Sequence, residues 1–421
     1  MAPLRGVIWG CILLFSSSAW GIWNPIISGW NPDPAILTVG DDYYVATSSF
    51  EYWPGIPIYH SKDLSNWTLF SHALTRPEQL QLFGTPTAAG KYNTPRPEGP
   101  KMYYKDSWYY LLIAEGGTDN LHRSTIARSK SPSGPFTANP ANPLMYNGQW
   151  GFDNLTVQST GHATMMKTAN GDWYATFIGR RNINGKSPLG RETFLTNVVW
   201  RDGWPVFNNG KPILLSEEVE PKSGPKKIPK KWVEKFKGSN WDKDWYQLRT
   251  PYTKNYETTQ KGLVLKPNVF GLSDRDTPAA LLRKQTSLNI TFSAEVLGFS
   301  GNLGPRNKVG ISAYLSEWQH QDIGIRGCVN QTGMCIYTES FKNKTITLGY
   351  SFGKDAPTYA TNISSFWQAF GPEGYGVFSG ASLALFGTGD GEPWPYNAPT
   401  VGFSKVTETY FQEDVQDYDR W

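Results

Sequence analysis

The 421-residue chain is short of cysteine, histidine and net charge, and each shortage narrows what it can do. It has three cysteines, and Cys11 falls within the apolar stretch at the N-terminus. Cys328 and Cys335, in "CVNQTGMC", have no pair of histidines nearby, which argues against a zinc site and leaves a local disulfide in an oxidising compartment. A net charge of +4 is weak for this length, and no basic stripe stands out, so nucleic acid is not an expected partner. Long apolar runs are missing too. The longest, Val7 to Phe15, is too short to span a membrane, and no other segment is a candidate.

That apolar run reads instead as part of a secretory leader. In "MAPLRGVIWGCILLFSSSAWG", Arg5 supplies the positive start, and Ala19 and Gly21 are small residues at suitable cleavage positions. Residues 1–21 are therefore expected to be removed, with the mature chain starting near Ile22. Six N-x-S/T sequons, at Asn66, Asn154, Asn289, Asn330, Asn343 and Asn362, fit a glycosylated protein outside the cell.

What the chain has in quantity is aromatic and turn residues: 18 Trp, 22 Tyr, 42 Gly and 30 Pro. This composition, with few heptad patterns, predicts a mostly β protein. Most of the aromatics are expected in the core, although exposed Trp and Tyr faces also suit sugar rings. "GDDYYVATSS", "YKDSWYYLLIAE" and "NGDWYATFIG" each run a polar turn into an aromatic strand, with Tyr44, Tyr110 and Tyr174 equivalent. "IYHSKDLSNW" and "IARSKSPSGPF" follow two of them. Repetition of strand groups at a fixed period of about 65 residues predicts propeller blades. The stretch from Glu220 to Gly238, rich in Pro, Gly and Lys, reads as an interdomain linker. Beyond it, "LNITFSAEV" alternates strictly, with Leu288, Ile290, Phe292, Ala294 and Val296 on one face. "KVGISAYL" alternates as well, which predicts an antiparallel sandwich over residues 239–421.

"GWNPDPAIL" places Asp33 between two prolines. Read locally it is a turn, with Asp33 pushed toward extended backbone by the proline that follows it. The longer series "NPIISGWNPDPAI", "YYVATSSFEYWPGIPIYHSKDLSNW", "RPEGPKMYYKDSWYYLLIAEGGT" and "LGRETFL" resembles glycoside hydrolase family 43, nearest to its β-xylosidases and α-arabinofuranosidases. "RDTPAALLRKQ" and "GISAYLSEWQH" are similar to the family's C-terminal concanavalin-like sandwich. The resemblance implies an all-β protein with a five-bladed propeller over residues 22–219. Its pocket would take oligosaccharides from xylan or arabinan, with Asp33 as general base and Glu98 as general acid of an inverting hydrolysis. It further implies that Phe50 lines the pocket and that Arg191 contacts the sugar. Tyr92 stands where the family usually has a pocket Trp. His162 would lie on the axis beneath the site, near a bound calcium ion in some members. A core Phe50 and a structural His162 remain the alternatives. No other cofactor is implied, and oligomeric state is left open.

The chain departs from this pattern in one place. The family has a third carboxylate between base and acid that orients the acid and tunes it by like-charge proximity. Between Asp33 and Glu98 stand only Glu51, Asp63 and Glu78, none of them in the family's motif. Roughly a hundred residues are expected there, about one and a half repeats. The break falls within "AAGKYNTPRPEGP", near residues 92–96. At about 65 residues per repeat, residues 24–215 hold three blades, fewer than the roughly four to eight that close a propeller. Two functions follow: a glycosidase, or a sugar-binding protein that has lost the chemistry along with the segment.

Overall fold

The three Tyr-centred repeats form three four-stranded antiparallel sheets, each a meander in chain order. The first comprises Ala35–Val39, Asp42–Ala46, Gly55–Ser61 and Thr68–Leu74. The second comprises Glu98–Lys105, Trp108–Glu115, Arg123–Ser129 and Thr137–Ala138. The third comprises Val157–Lys167, Trp173–Arg181, Glu192–Arg201 and Trp204–Phe207. Tyr44, Tyr110 and Tyr174 all sit on the second strand of their sheets, as the repeat predicts. This computed structural model describes residues 21–76, 89–91, 97–152, 154–183, 185–217, 229–238, 241–251, 255–297, 302–340, 344–351, 355–365, 375–377, 379–395 and 401–411. Residues 1–20 of the leader, Tyr92, Glu78 and residues 220–228 of the lysine-rich stretch lie outside the described residues.

The third sheet is the centre of this region. It shares one core with the second sheet, where Tyr110, Leu112 and Ile126 meet Val157, Ala175, Phe177 and Phe194. It shares another with the first, where Ile36, Val45 and Tyr59 meet Met166, Tyr174 and Leu195. Ile22–Trp23 pairs with Ser216–Glu217 and ties the start of the region to its end. The five blades implied by resemblance are thus three among the described residues, the number the repeat length allows.

The C-terminal region is a sandwich of two five-stranded sheets. In one, Val401–Tyr410 pairs with Ile290–Val296, Lys231–Glu234 and Gly262–Leu265. Lys231–Glu234 is therefore an edge strand of the sandwich, although it lies inside the stretch read as linker. Trp232 packs on the sandwich core, which anchors it. The other sheet runs Ala279–Lys284, Ser382–Thr388, Lys308–Ser316, Gln319–Gly327 and Met334–Ser340. Ile290–Val296 alternates half-buried and exposed as predicted.

Lys308–Ser316 departs from the expected alternation because almost all of it is buried. Its sheet lies between two cores. Leu281, Val309 and Leu385 face the partner sheet. Ala280, Leu282, Tyr314, Ala384 and Phe386 face the other way, onto Trp30 and Tyr52 of the N-terminal region. Tyr52–Trp53 also pairs with Gln247–Leu248 across this interface. A sheet covered on both faces reads as apolar throughout, not as a period of two. Cys328 and Cys335 are joined in a disulfide, as read from the sequence.

Candidate active site

Asp33 is carried on the loop that enters the first sheet, and that loop is tied on several sides. Asn31 N donates to Arg191 O at 2.8 Å, Ser48 N to Pro32 O at 2.9 Å, and Thr164 Oγ1 to Pro34 O at 2.8 Å. Gly29 N donates to Glu192 Oε1 at 2.9 Å, and Glu192 in turn takes a two-point contact from Arg181, at 2.8 and 3.0 Å. Asp33 itself has φ 56, in the left-handed region, not the extended backbone expected before a proline. Asp tolerates this region better than most residues, and the surrounding hydrogen bonds hold it there. Phe50 and His162 also have positive φ, at 49 and 54. Three residues expected at the site thus share an uncommon backbone conformation, as functional sites often do.

The structure brings Asp33, Glu98, His162, Arg191 and Phe50 together. His162 Nδ1 lies 3.4 Å from Asp33 Oδ1 and 3.7 Å from Glu98 Oε1. Arg191 Nη1 is also 3.4 Å from Asp33 Oδ1, and its guanidinium sits 5.3 Å from the centre of the Phe50 ring. Phe50 also packs against Trp30 in the interface core, as the core reading expects. His162 stands between the two carboxylates. Gly99 of the "PEGP" motif makes room for it: a Cβ there would fall 2.5 Å from His162 Nε2, and the glycine has φ 57.

Neither of the described candidates for a third carboxylate is at this site. Asp63 caps the turn after Gly55–Ser61, accepting from the backbone N–H groups of Ser65 and Asn66 at 2.9 and 2.7 Å. Glu51 is buried at the domain interface, where its carbonyl accepts from Arg249 N at 2.8 Å. Calcium takes about six to eight oxygens, whereas among the described residues no three His, Cys, Asp or Glu side chains gather as a metal site would.

Sequence reading missed Lys101 and Asn31. Lys101, three residues after Glu98, is held below the usual lysine range by burial, while the negative charges of Asp33 and Glu98 act the other way. Its Nζ donates to Gly99 O at 3.2 Å. With the strand irregular after Glu98, Lys101 pairs opposite Leu112 beside the acid, a register that its sequence neighbours do not announce. Asn31 stood inside the quoted motif, but nothing local marked its side chain as a tether.

Propeller-like sheets, a concanavalin-like sandwich and a carboxylate pair backed by arginine define a glycoside hydrolase. The chain belongs to glycosyl hydrolases family 43, whose model matches residues 22–92 and 85–205. The β-xylosidase C-terminal concanavalin A-like domain matches residues 233–350. The family match comes in two pieces that meet where the sequence was read as interrupted. A non-reducing-end α-L-arabinofuranosidase, BoGH43B of Bacteroides ovatus, is 32% identical over 377 residues, covering 65% of this chain and 70% of that protein. Sixty-five per cent of this chain is about 274 residues, so about a hundred of the 377 aligned positions have no residue of this chain opposite them. A β-xylosidase of Bacillus subtilis is 28% identical, covering 65% of this chain and 73% of its own length. Among solved structures, Bacteroides ovatus GH43B superposes with a TM-score of 0.79 at 25% identity over 93% of this chain and 100% of that one. A xylan β-1,4-xylosidase from Bacillus halodurans shares the fold, with a TM-score of 0.79 at 21% identity over 92% of this chain and 100% of that one.

Proposed function

We propose that this chain acts outside the cell and removes terminal xylose or arabinose from oligosaccharides of plant cell-wall polysaccharide, with inversion at the anomeric carbon. Asp33 takes a proton from water as the water oxygen bonds to that carbon. The glycosidic C–O bond breaks, and Glu98 gives its proton to the leaving oxygen. One observation carries this reading: both carboxylates face a single ring nitrogen. Their nearest oxygens therefore lie no farther apart than the two distances of 3.4 and 3.7 Å laid end to end, about 7 Å. That bound allows the roughly 6.5–9.5 Å of an inverting pair and also the roughly 5–5.5 Å of a retaining one, so inversion is taken from the family resemblance and not from the distance. Arg191 sets a positive charge 3.4 Å from Asp33 Oδ1, and Phe50 offers a ring face beside it. The activities named for the Bacteroides ovatus and Bacillus subtilis relatives support the sugar class.

A second reading, sugar binding without turnover, is favoured by the positions of Glu51 and Asp63 away from the site. Release of p-nitrophenol from aryl β-xyloside and aryl α-arabinofuranoside, measured beside calorimetric binding of xylose, arabinose and their oligosaccharides, separates the two. Turnover supports the first reading, and binding without turnover supports the second.

A further inference from the structure

We propose that Lys284, a residue of the sandwich, is a positioning residue for the base and holds the Asp33 loop from across the domain interface. This rests on the reading of Asp33 as the base. Lys284 ends the strand Ala279–Lys284, on the face that Ala280 and Leu282 turn toward the N-terminal region. Its Nζ donates to Asn31 Oδ1 at 2.7 Å, two residues before Asp33. The same oxygen accepts from Tyr59 OH at 2.8 Å and Thr47 Oγ1 at 3.2 Å. The amide nitrogen of Asn31 donates to Ser28 O and Gly29 O, both at 3.2 Å. Asn31 is thus fixed at both ends of its side chain, and one of its three oxygen partners comes from the other domain.

The rest of the Lys284 environment suits a tether. Its Nζ lies 4.2 Å from the centre of the Trp30 ring and 4.9 Å from that of Tyr246, within cation–π range of both. Trp30 is the residue before Asn31 and is fully buried, with Nε1 donating to Ser382 Oγ at 3.2 Å. A buried lysine is costly unless its charge and donors are met. Here two ring faces and one carbonyl meet them, and Asp244 contributes an opposing charge. Displacement of Asn31 would not stop at Asp33. Asn31 N donates to Arg191 O, and Asn31 O accepts from Thr193 Oγ1 at 2.6 Å, so the base and its arginine are linked to the same residue.

The test uses the full chain and two single variants, Lys284→Met and Asn31→Ala, with their double variant. Methionine fills the volume of the lysine stem without a donor. Amide hydrogen exchange in peptides covering residues 29–36 and 189–194 is expected to rise at least about fivefold in Lys284→Met, with peptides in Trp108–Glu115 unchanged. Asn31→Ala should loosen the same peptides, and the double variant should add little, since both remove one link. Lys284→Gln, which keeps an N–H donor, should restore most of the protection. With an aryl substrate, Lys284→Met should lower kcat about tenfold and leave KM within about twofold. Unchanged exchange in both single variants would overturn the proposal, as would loosening that leaves kcat intact in an active enzyme. The exchange readout does not need turnover, so a chain that hydrolyses nothing would sink the glycosidase reading while exchange still decides whether Lys284 holds the loop.

Discussion

The two carboxylates of the site are built in unlike ways. Asp33 rides on a loop bonded to the first sheet, the third sheet and, through Asn31, the sandwich. Glu98 opens a strand that lies at the edge of its sheet and alternates exposed and half-buried along its whole length. Its side chain is 44% exposed, against 31% for Asp33. The two pieces of the family match overlap at residues 85–92, a few residues before Glu98. The base loop is thus tied to three segments, while among the described residues the acid's strand pairs on one side only, with Trp108–Glu115. Support of this kind sets how tightly a reacting group is held, and small losses of position are costly to catalysis.

If the base is the better-built half, its loss should be the larger one. Asp33→Asn is expected to lower kcat/KM on aryl xyloside or arabinoside by about 10²–10⁴-fold, the usual worth of a general base. Steady-state kinetics on the purified variant checks this. Stability should show the same asymmetry. Glu192→Ala removes the partner of buried Arg181 behind the base loop and should cost about 3–5 kcal/mol in denaturant unfolding. Arg123→Ala breaks the half-exposed contact to Glu115 in the acid's sheet and should cost no more than about 1 kcal/mol. Equal costs would remove the structural contrast.

The interface behind the base also carries a pH limit. His72, on the last strand of the first sheet, is within 3.2 Å of Tyr246 OH. Burial, with the charges of Lys284 and Lys243, holds its imidazole down to about 4. Between that value and its ordinary 6.5, the unfolded chain binds a proton that the folded chain does not. Stability should therefore fall as pH drops through this window, by up to about 3 kcal/mol. Lys284, held down from 10.5 to about 7 by burial, acts with the same sign in a higher window, adding stability as pH rises above 7. Melting curves from pH 4 to 6.5 should show the loss, and His72→Phe should flatten it. A further effect belongs to the site-remote end of the sandwich. Replacing Cys328 and Cys335 with serine should cost about 2 kcal/mol, because the bonded residues are only seven apart and the closed loop is short.

Much of this architecture was legible because it repeats or alternates locally. Tyr44, Tyr110 and Tyr174 marked the second strand of each sheet, and Leu288 to Val296 showed its half-buried face directly. The spacing of Cys328 and Cys335 suited a local bond. What was hidden depends on distant partners. "AALLRK" gives no sign that its alternate residues enter two different cores, and Lys284 at its end looks like a surface lysine. The strand Lys231–Glu234 was masked by the lysines around it, since only Trp232 and its pairing with Val406 to Thr409 reveal it. The left-handed backbone of Asp33 was missed because the local preference of a residue before proline is outweighed by hydrogen bonds from three separate segments. His162 lies beside Asp33 and Glu98, and that position follows from the packing of the second sheet on the third.

The leaving-group dependence of the two carboxylate variants tests the central claim most directly. Wild type, Asp33→Asn and Glu98→Gln would be compared on p-nitrophenyl xyloside and on xylobiose, with the arabinose equivalents if those are preferred. Base loss should slow both substrates alike, because water must be activated in either case. Acid loss should slow xylobiose by about 10²–10⁴-fold but p-nitrophenyl xyloside far less, because nitrophenolate departs without a proton. Equal losses on both substrates in Glu98→Gln, or full activity in Asp33→Asn, would contradict the assignment of base and acid.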